Sequence, residues 1–234
     1  TFHPEFAYLP RKFKIAVCGT AVDQAATQVH DIGVYLVSGP EQQVGFRILA
    51  GGGLGRTPVI GQEIFPFVEK KHLLTALEAI LRIYNRQGRR DNKYKARIKI
   101  LVKEMGIEAF KTKVIEEWQR IKDGPQTLTE KEIERCKSFF IELPYTATQD
   151  NPDTLTEALQ KEPLFLNWYR RNVKQHKRPG YAIATIALKE TGTAPGDVTD
   201  VQLEHIADLS DEYSFGEARV SHRQNVVLAD VAQE

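Results

Sequence analysis

The stretch Tyr8-Leu9-Pro10-Arg11-Lys12-Phe13-Lys14-Ile15-Ala16-Val17 decides how this chain is read. Three cations follow a proline and lead straight into an apolar run. Side chains alternate along a strand, so a strand starting at Phe13 sends Lys12 and Lys14 to one face and Phe13 and Ile15 to the other. A one-residue slip would bury both charges. Two readings stay open at this point. One is a sheet edge blunted by lysine. The other is a strand start that offers cations to an anion, as point charges and as proton donors.

Working outward, residues 13–18, 32–37 and 44–50 are apolar runs bounded by Gly, Pro, Asp or Ser, and they read as neighbouring strands of one sheet. Gly51-Gly52-Gly53-Leu54-Gly55-Arg56 stops the third run. It lacks the Lys-Ser/Thr ending of a phosphate loop and does not fit G-x-G-x-x-G, so taken alone it reads as a hairpin or a generic phosphate loop. Residues 72–87, 93–105 and 107–121 place apolar side chains three and four apart and are expected as helices. Gly106 suits the end of the second, and Thr129 suits the N-cap of another helix over 130–140. Residues 143–163 are rich in turn formers, including Asn151-Pro152, and 164–176 are expected as a short helix. Then the texture changes. Residues 181–188 alternate like a strand, Asp200 is expected to cap a helix over 201–209, and 218–220 and 226–228 read as closing strands. The expected fold class is α+β.

Apolar content of 41% and charged content of 27% are those of an ordinary globule, and a net charge of +1 excludes a surface that seeks nucleic acid throughout. An RNA-binding reading resting on Arg170, Arg171, Lys174 and Lys177 wants exposed aromatics on a sheet, and Tyr181 is the only aromatic in the closing strand runs. No run is long enough to span a bilayer and no secretory pattern is seen, which gives a cytoplasmic expectation. Cys18 and Cys136 lie far apart and are expected as free thiols.

Four stretches, in order, resemble the siroheme-dependent sulfite and nitrite reductases. They are Leu-Pro-Arg-Lys-Phe-Lys ending at Lys14, Gly45 to Pro58 with its glycine cluster, Asp91 to Lys99 with Ala96-Arg97-Ile98-Lys99, and Gly216 to Leu228 with Arg219, Gln224 and Asn225. The resemblance implies a siroheme-contacting domain over 1–142, a connector over 143–178 and a ferredoxin-like half-domain over 179–234. It implies that Lys12 and Lys14 are the substrate lysines, and that Arg11, Gly51, Gly52, Gly53, Arg56, Asn92 and Arg97 contact siroheme, an anionic cofactor whose carboxylates suit arginine. Arg219, Gln224 and Asn225 are expected to approach the same cofactor or to be plain strand surface, and His222 to be structural or a proton donor. The implied reaction is the reduction of sulfite to sulfide, with nitrite to ammonia as the alternative, fed by ferredoxin or a flavoprotein. A non-redox anion-binding module is the rival of another class. The family also carries a 4Fe–4S cluster on four cysteine thiolates. Two cysteines cannot supply it, so no metal ligands are assigned. The chain is expected to be an inactive piece of a longer polypeptide.

Overall fold

The computed structural model describes residues 3–146 and 152–233. It divides into two compact units, Thr1–Phe140 and Ile141–Glu234. In the first, four strands form a sheet in the order β1 (Ile15–Cys18), β2 (Ile32–Ser38), β3 (Val44–Ala50) and β4 (Gln62–Glu69). β1 runs parallel to β2, and the other two pairs are antiparallel. Helices form in the three expected stretches, α1 (Leu73–Gln87), α2 (Ile98–Met105) and α3 (Ile107–Ile121), but α2 begins only after Arg97, whose backbone is extended, and not at residue 93. Their apolar stripes (Ala76, Ile80 and Tyr84, then Ile98 and Leu101, then Phe110 and Val114) close one core with Ile32, Val34, Ile48 and Phe65. α4 (Glu130–Lys137) starts where Thr129 accepts a hydrogen bond from the Glu132 N–H, as its sequence predicts.

Two expectations are corrected here. The fourth strand escapes the pattern because Pro66 interrupts Ile64-Phe65-Pro66-Phe67. Proline is tolerated on a sheet edge, where β4 lies. The alternation expected from Phe13 also fails at its first step. Phe13 packs on the core, but the buried residues of β1 are Ala16 and Cys18, while Ile15 and Val17 are 38% and 60% exposed. The Lys14 N–H is taken by the Asp31 carboxylate, so the regular ladder begins only at Ile15, opposite Ile32.

The second unit is an antiparallel sheet in the order β5 (Val173–Gln175), β6 (Tyr181–Ala187), β8 (Asn225–Ala232) and β7 (Ala218–Val220), with α5 (Asp153–Lys161), α6 (Pro163–Asn172) and α7 (Asp200–Tyr213). α7 begins one residue earlier than expected. Thr199 is its cap, in a reciprocal capping box with Gln202, and Asp200 is the first helical residue. The stretch 143–178 is more than a connector. It supplies β5 to the sheet, and its Tyr145 hydroxyl donates to the buried Asp230 at 2.5 Å. Residues 147–151 of that stretch, Asn151 among them, lie outside the described residues.

Candidate functional site

Pro10 ends the N-terminal segment against α1, and the next residues are fixed by their main chain. The buried Tyr84 hydroxyl lies 3.0 Å from the Arg11 carbonyl and 2.7 Å from the Ala96 carbonyl, sharing its proton between them. One phenol thereby ties the segment carrying Arg11, Lys12 and Lys14 to the segment carrying Arg97. Burial holds that phenol above the ordinary tyrosine range. Lys14 is held from its other side. Its N–H donates to Asp31 Oδ2 at 3.2 Å, and its carbonyl accepts the Ile32 N–H at 3.1 Å.

Asp31 is 3% exposed and joins these parts. Its Oδ1 accepts Arg97 Nε and Nη2 at 3.0 and 2.8 Å, and its carbonyl accepts the Gly51 N–H at 2.9 Å. The result is a pocket of about 190 Å³ lined by Arg11, Lys12, Lys14, Asp31 and Arg97, with His30, Val29 and Leu54 completing the wall. Four cations face one carboxylate there, and that carboxylate is already engaged by Arg97 and the Lys14 N–H. Among the described residues, no hydrogen-bond acceptor or carboxylate meets the Lys12 or Lys14 ammonium, and both residues are exposed. Arg11 places Nη1 3.2 Å from the Lys93 carbonyl. Chemically, this arrangement can receive a small oxyanion or a carboxylate.

The three glycines form the back of this site, and the space a Cβ would need at each is filled by the chain itself. A Cβ on Gly53 would lie 2.7 Å from Arg97 Nη2, and one on Gly52 would lie 2.4 Å from the His30 carbonyl. Gly51 has φ +82° with Val102 packed beside it. Gly53 and Val59 exchange both backbone hydrogen bonds, closing a loop over 54–58. Lys99 holds that loop through the Leu54 and Thr57 carbonyls at 3.1 and 2.7 Å. Burial, with the Arg97 charge adding to it, pushes the Lys99 ammonium below its usual range.

Of the expected site residues, Arg11, Lys12, Lys14 and Arg97 meet in the pocket, with Gly51, Gly52 and Gly53 behind it. Arg56 and Asn92 do not line it. Arg56 is exposed in the 54–58 loop, and the Asn92 carboxamide oxygen accepts the Tyr94 N–H in a local turn. His30 and Asp31 escaped the sequence reading. The available signal was an acid directly before an apolar run, one step ahead of the residue that pairs with Ile15. In the second unit, Arg219 pairs with Glu217 at 2.6 Å, Asn225 accepts from the Leu188 N–H and from Lys189, and Gln224 sits in the turn before β8. His222 is exposed in that turn. Cys18 is buried and Cys136 exposed, both free, and among the described residues no group of three or more His, Cys, Asp or Glu is arranged to hold a metal. No helix among them is long and apolar enough to cross a membrane.

The family model described as the nitrite and sulphite reductase 4Fe-4S domain matches residues 1–122, and that of the nitrite/sulfite reductase ferredoxin-like half domain matches residues 175–234. The chain is similar to sulfite reductase (ferredoxin) 1 of Mycolicibacterium paratuberculosis, 35% identical over 125 residues, which cover 53% of this chain and 22% of that protein. It is also similar to the sulfite reductase (NADPH) hemoprotein beta-component of Shewanella loihica, 34% identical over 114 residues, covering 46% and 20%. The matched stretches thus span about a fifth of these relatives. The solved structure of the Mycobacterium tuberculosis NirA protein shares the fold, with a TM-score of 0.62 at 24% identity, covering 98% of this chain and 35% of that one.

Proposed function

This chain belongs to the nitrite and sulphite reductase family, whose members depend on siroheme and a 4Fe–4S cluster, and from that premise we propose that the cationic pocket is the substrate side of a sulfite-reducing site. One observation carries the reading. Hydrogen bonds to the Arg11 carbonyl and from the Lys14 N–H fix the main chain there, yet among the described residues nothing pairs the Lys12 and Lys14 ammonium groups at a pocket of about 190 Å³.

In this reading the two lysines bind the sulfite oxygens and place ammonium protons beside them, where each departing oxygen needs protons to leave as water. Arg97, held rigid by Asp31, adds a fixed positive field. Among the described residues, Arg11 engages one donor, at the Lys93 carbonyl, and suits a cofactor carboxylate at the rim. The unpaired cations fit the anionic edge of siroheme, which when bound supplies the electrons of the six-electron reduction. Arg56 is the further candidate for a carboxylate, and Asn92 a weaker one, since its side chain is engaged in its own turn. The cluster does not fit the residues described here, because Cys18 and Cys136 are the only thiols and do not gather. We therefore propose that the chain by itself binds the oxyanion without reducing it, and that reduction needs thiolates and a donor, ferredoxin or a flavoprotein, from outside it. Nitrite is the alternative substrate for the same cations.

Calorimetric titration of the chain with sulfite tests this. Saturable binding that weakens on the order of tenfold in each of Lys12→Gln and Lys14→Gln is expected, the size of one charge-assisted hydrogen bond. Binding indifferent to both substitutions refutes the pocket assignment, and sulfide production by the chain alone refutes its inactivity.

A further inference from the structure

We propose that His30 is an anion-binding residue of the pocket that takes up a proton when the oxyanion enters, so that oxyanion affinity rises as pH falls. This deepens the reading of the pocket given above and rests on it.

The hydrogen bonding of the ring fixes its protons. His30 Nδ1 lies 2.9 Å from the Ala26 carbonyl. A carbonyl only accepts, so Nδ1 carries the hydrogen, and in the neutral ring Nε2 is a bare lone pair. Among the described residues, nothing hydrogen-bonds Nε2, although His30 forms part of the pocket wall. A lone pair facing an oxyanion repels it. A protonated Nε2 becomes a charged donor to it.

The loop beneath the ring is built to hold this place. Asp23 accepts the Thr27 N–H at 2.9 Å, the Thr27 hydroxyl at 2.9 Å and the Tyr35 hydroxyl at 2.8 Å. Ala26 takes a left-handed conformation with φ 50°, which turns its carbonyl to the ring. Gly61 donates to the Gln28 carbonyl at 2.7 Å, and Gly52 leaves room for the carbonyls of Gln28 and His30.

The charges around His30 set the direction of the effect. It shares the pocket wall with Arg11, Lys12 and Lys14 of the entering segment, with Arg97 of the segment before α2 and with Asp31 next to it in sequence, while Asp23 holds its loop through the Thr27 N–H. Asp31 is engaged by Arg97 and the Lys14 N–H. The cations draw an anion in, and a bound anion favours a proton on the ring beside it, so anion and proton bind together. In a reduction that consumes protons at each step, such a residue would deliver one with the substrate.

Inorganic sulfate is the probe, because it does not titrate near neutrality as sulfite does. In the wild-type chain, sulfate affinity is expected to be about tenfold higher at about pH 6 than at about pH 8, with proton uptake seen as a buffer-dependent binding heat. His30→Gln should bind as the wild type does at the higher pH and lose the dependence. The His30 Cε1–H resonance of the unmutated chain should titrate at higher pH with sulfate present, a readout that needs no variant. A resonance that sulfate leaves unmoved, while Lys12→Gln still weakens binding, overturns the His30 proposal and spares the pocket. Sulfate binding insensitive to Lys12→Gln and Lys14→Gln overturns both.

Discussion

Asp31→Asn replaces a carboxylate by an amide of the same shape, and the structure says what that costs. The Asp31 side chain is 4% exposed and takes donors on both oxygens, Arg97 at 2.8 and 3.0 Å on one and the Lys14 N–H at 3.2 Å on the other. An asparagine has one oxygen to offer. Whichever way it turns, its NH₂ faces either the guanidinium or the Lys14 N–H, donor against donor. Breaking a fully buried pair costs about 3–5 kcal/mol. Arg97 keeps 24% side-chain exposure and recovers part of its hydration. One charge-assisted bond, at about 1.5–3 kcal/mol, is therefore the better measure. For a unit of this size that is roughly 5–12 °C in Tm. Scanning calorimetry reads the shift, and amide exchange reads the loss of protection at Lys14. A variant melting within about 1 °C of the wild type, with the Lys14 amide still protected, would show that Asp31 does not hold the site together.

Gly52→Ala sets a Cβ 2.4 and 2.5 Å from two backbone carbonyls, and denaturant unfolding should show about 1–3 kcal/mol of destabilisation. Tyr84→Phe strips the hydroxyl from the Arg11 and Ala96 carbonyls and should cost about 1–2 kcal/mol by the same measurement. Glu117 on α3 is buried, which alone would raise its carboxyl, but hydrogen bonds from Arg82 and Arg86 on α1 outweigh this and hold it below its usual value of 4.5. A depressed carboxyl stabilises the fold above the unfolded value and loses that contribution as pH falls through the folded one. Wild-type stability should therefore drop in acid below about pH 4.5, and Glu117→Gln, less stable at neutral pH, should show a flatter acid limb.

The parts of this fold legible in the sequence are those where one periodicity governs a long run. The stripes of α1 and α3 name their own core residues, and Thr129 announces its helix. Legibility ends where a contact between distant segments overrides the local pattern. Phe13 to Cys18 reads as simple alternation, but the Asp31 carboxylate captures the Lys14 N–H and shifts the buried face onto Ala16 and Cys18. The site follows the same division. Arg11, Lys12 and Lys14 share one short stretch and are visible together. His30 and Asp31 reach them only through a parallel pairing between β1 and β2, and no local pattern gives the register of two parallel strands. The glycine cluster reads from sequence as the stop of the third strand, but its packing is not legible there: the space a Cβ would need is filled by Val102, two loop carbonyls and the Arg97 guanidinium.

That internal approach separates two kinds of cation in the first unit. Arg82, Arg86 and Arg120 converge on Glu117, Lys99 on two carbonyls, and Arg97 on Asp31. Each has its charge answered within the fold. Among the described residues, Lys12 and Lys14 do not, although hydrogen bonds at the Arg11 carbonyl and the Lys14 N–H hold the main chain on either side of Lys12. Gathering Arg11, Lys12, Lys14 and Arg97 around one pocket is repulsive, and a single carboxylate offsets only part of it. Sheet-edge protection needs scattered lysines and would not require a buried acid to hold them close. The arrangement accords with the proposal that an anion is the partner of these cations. At about 190 Å³ the pocket has room for a small oxyanion, or for a carboxylate that reaches in from its rim.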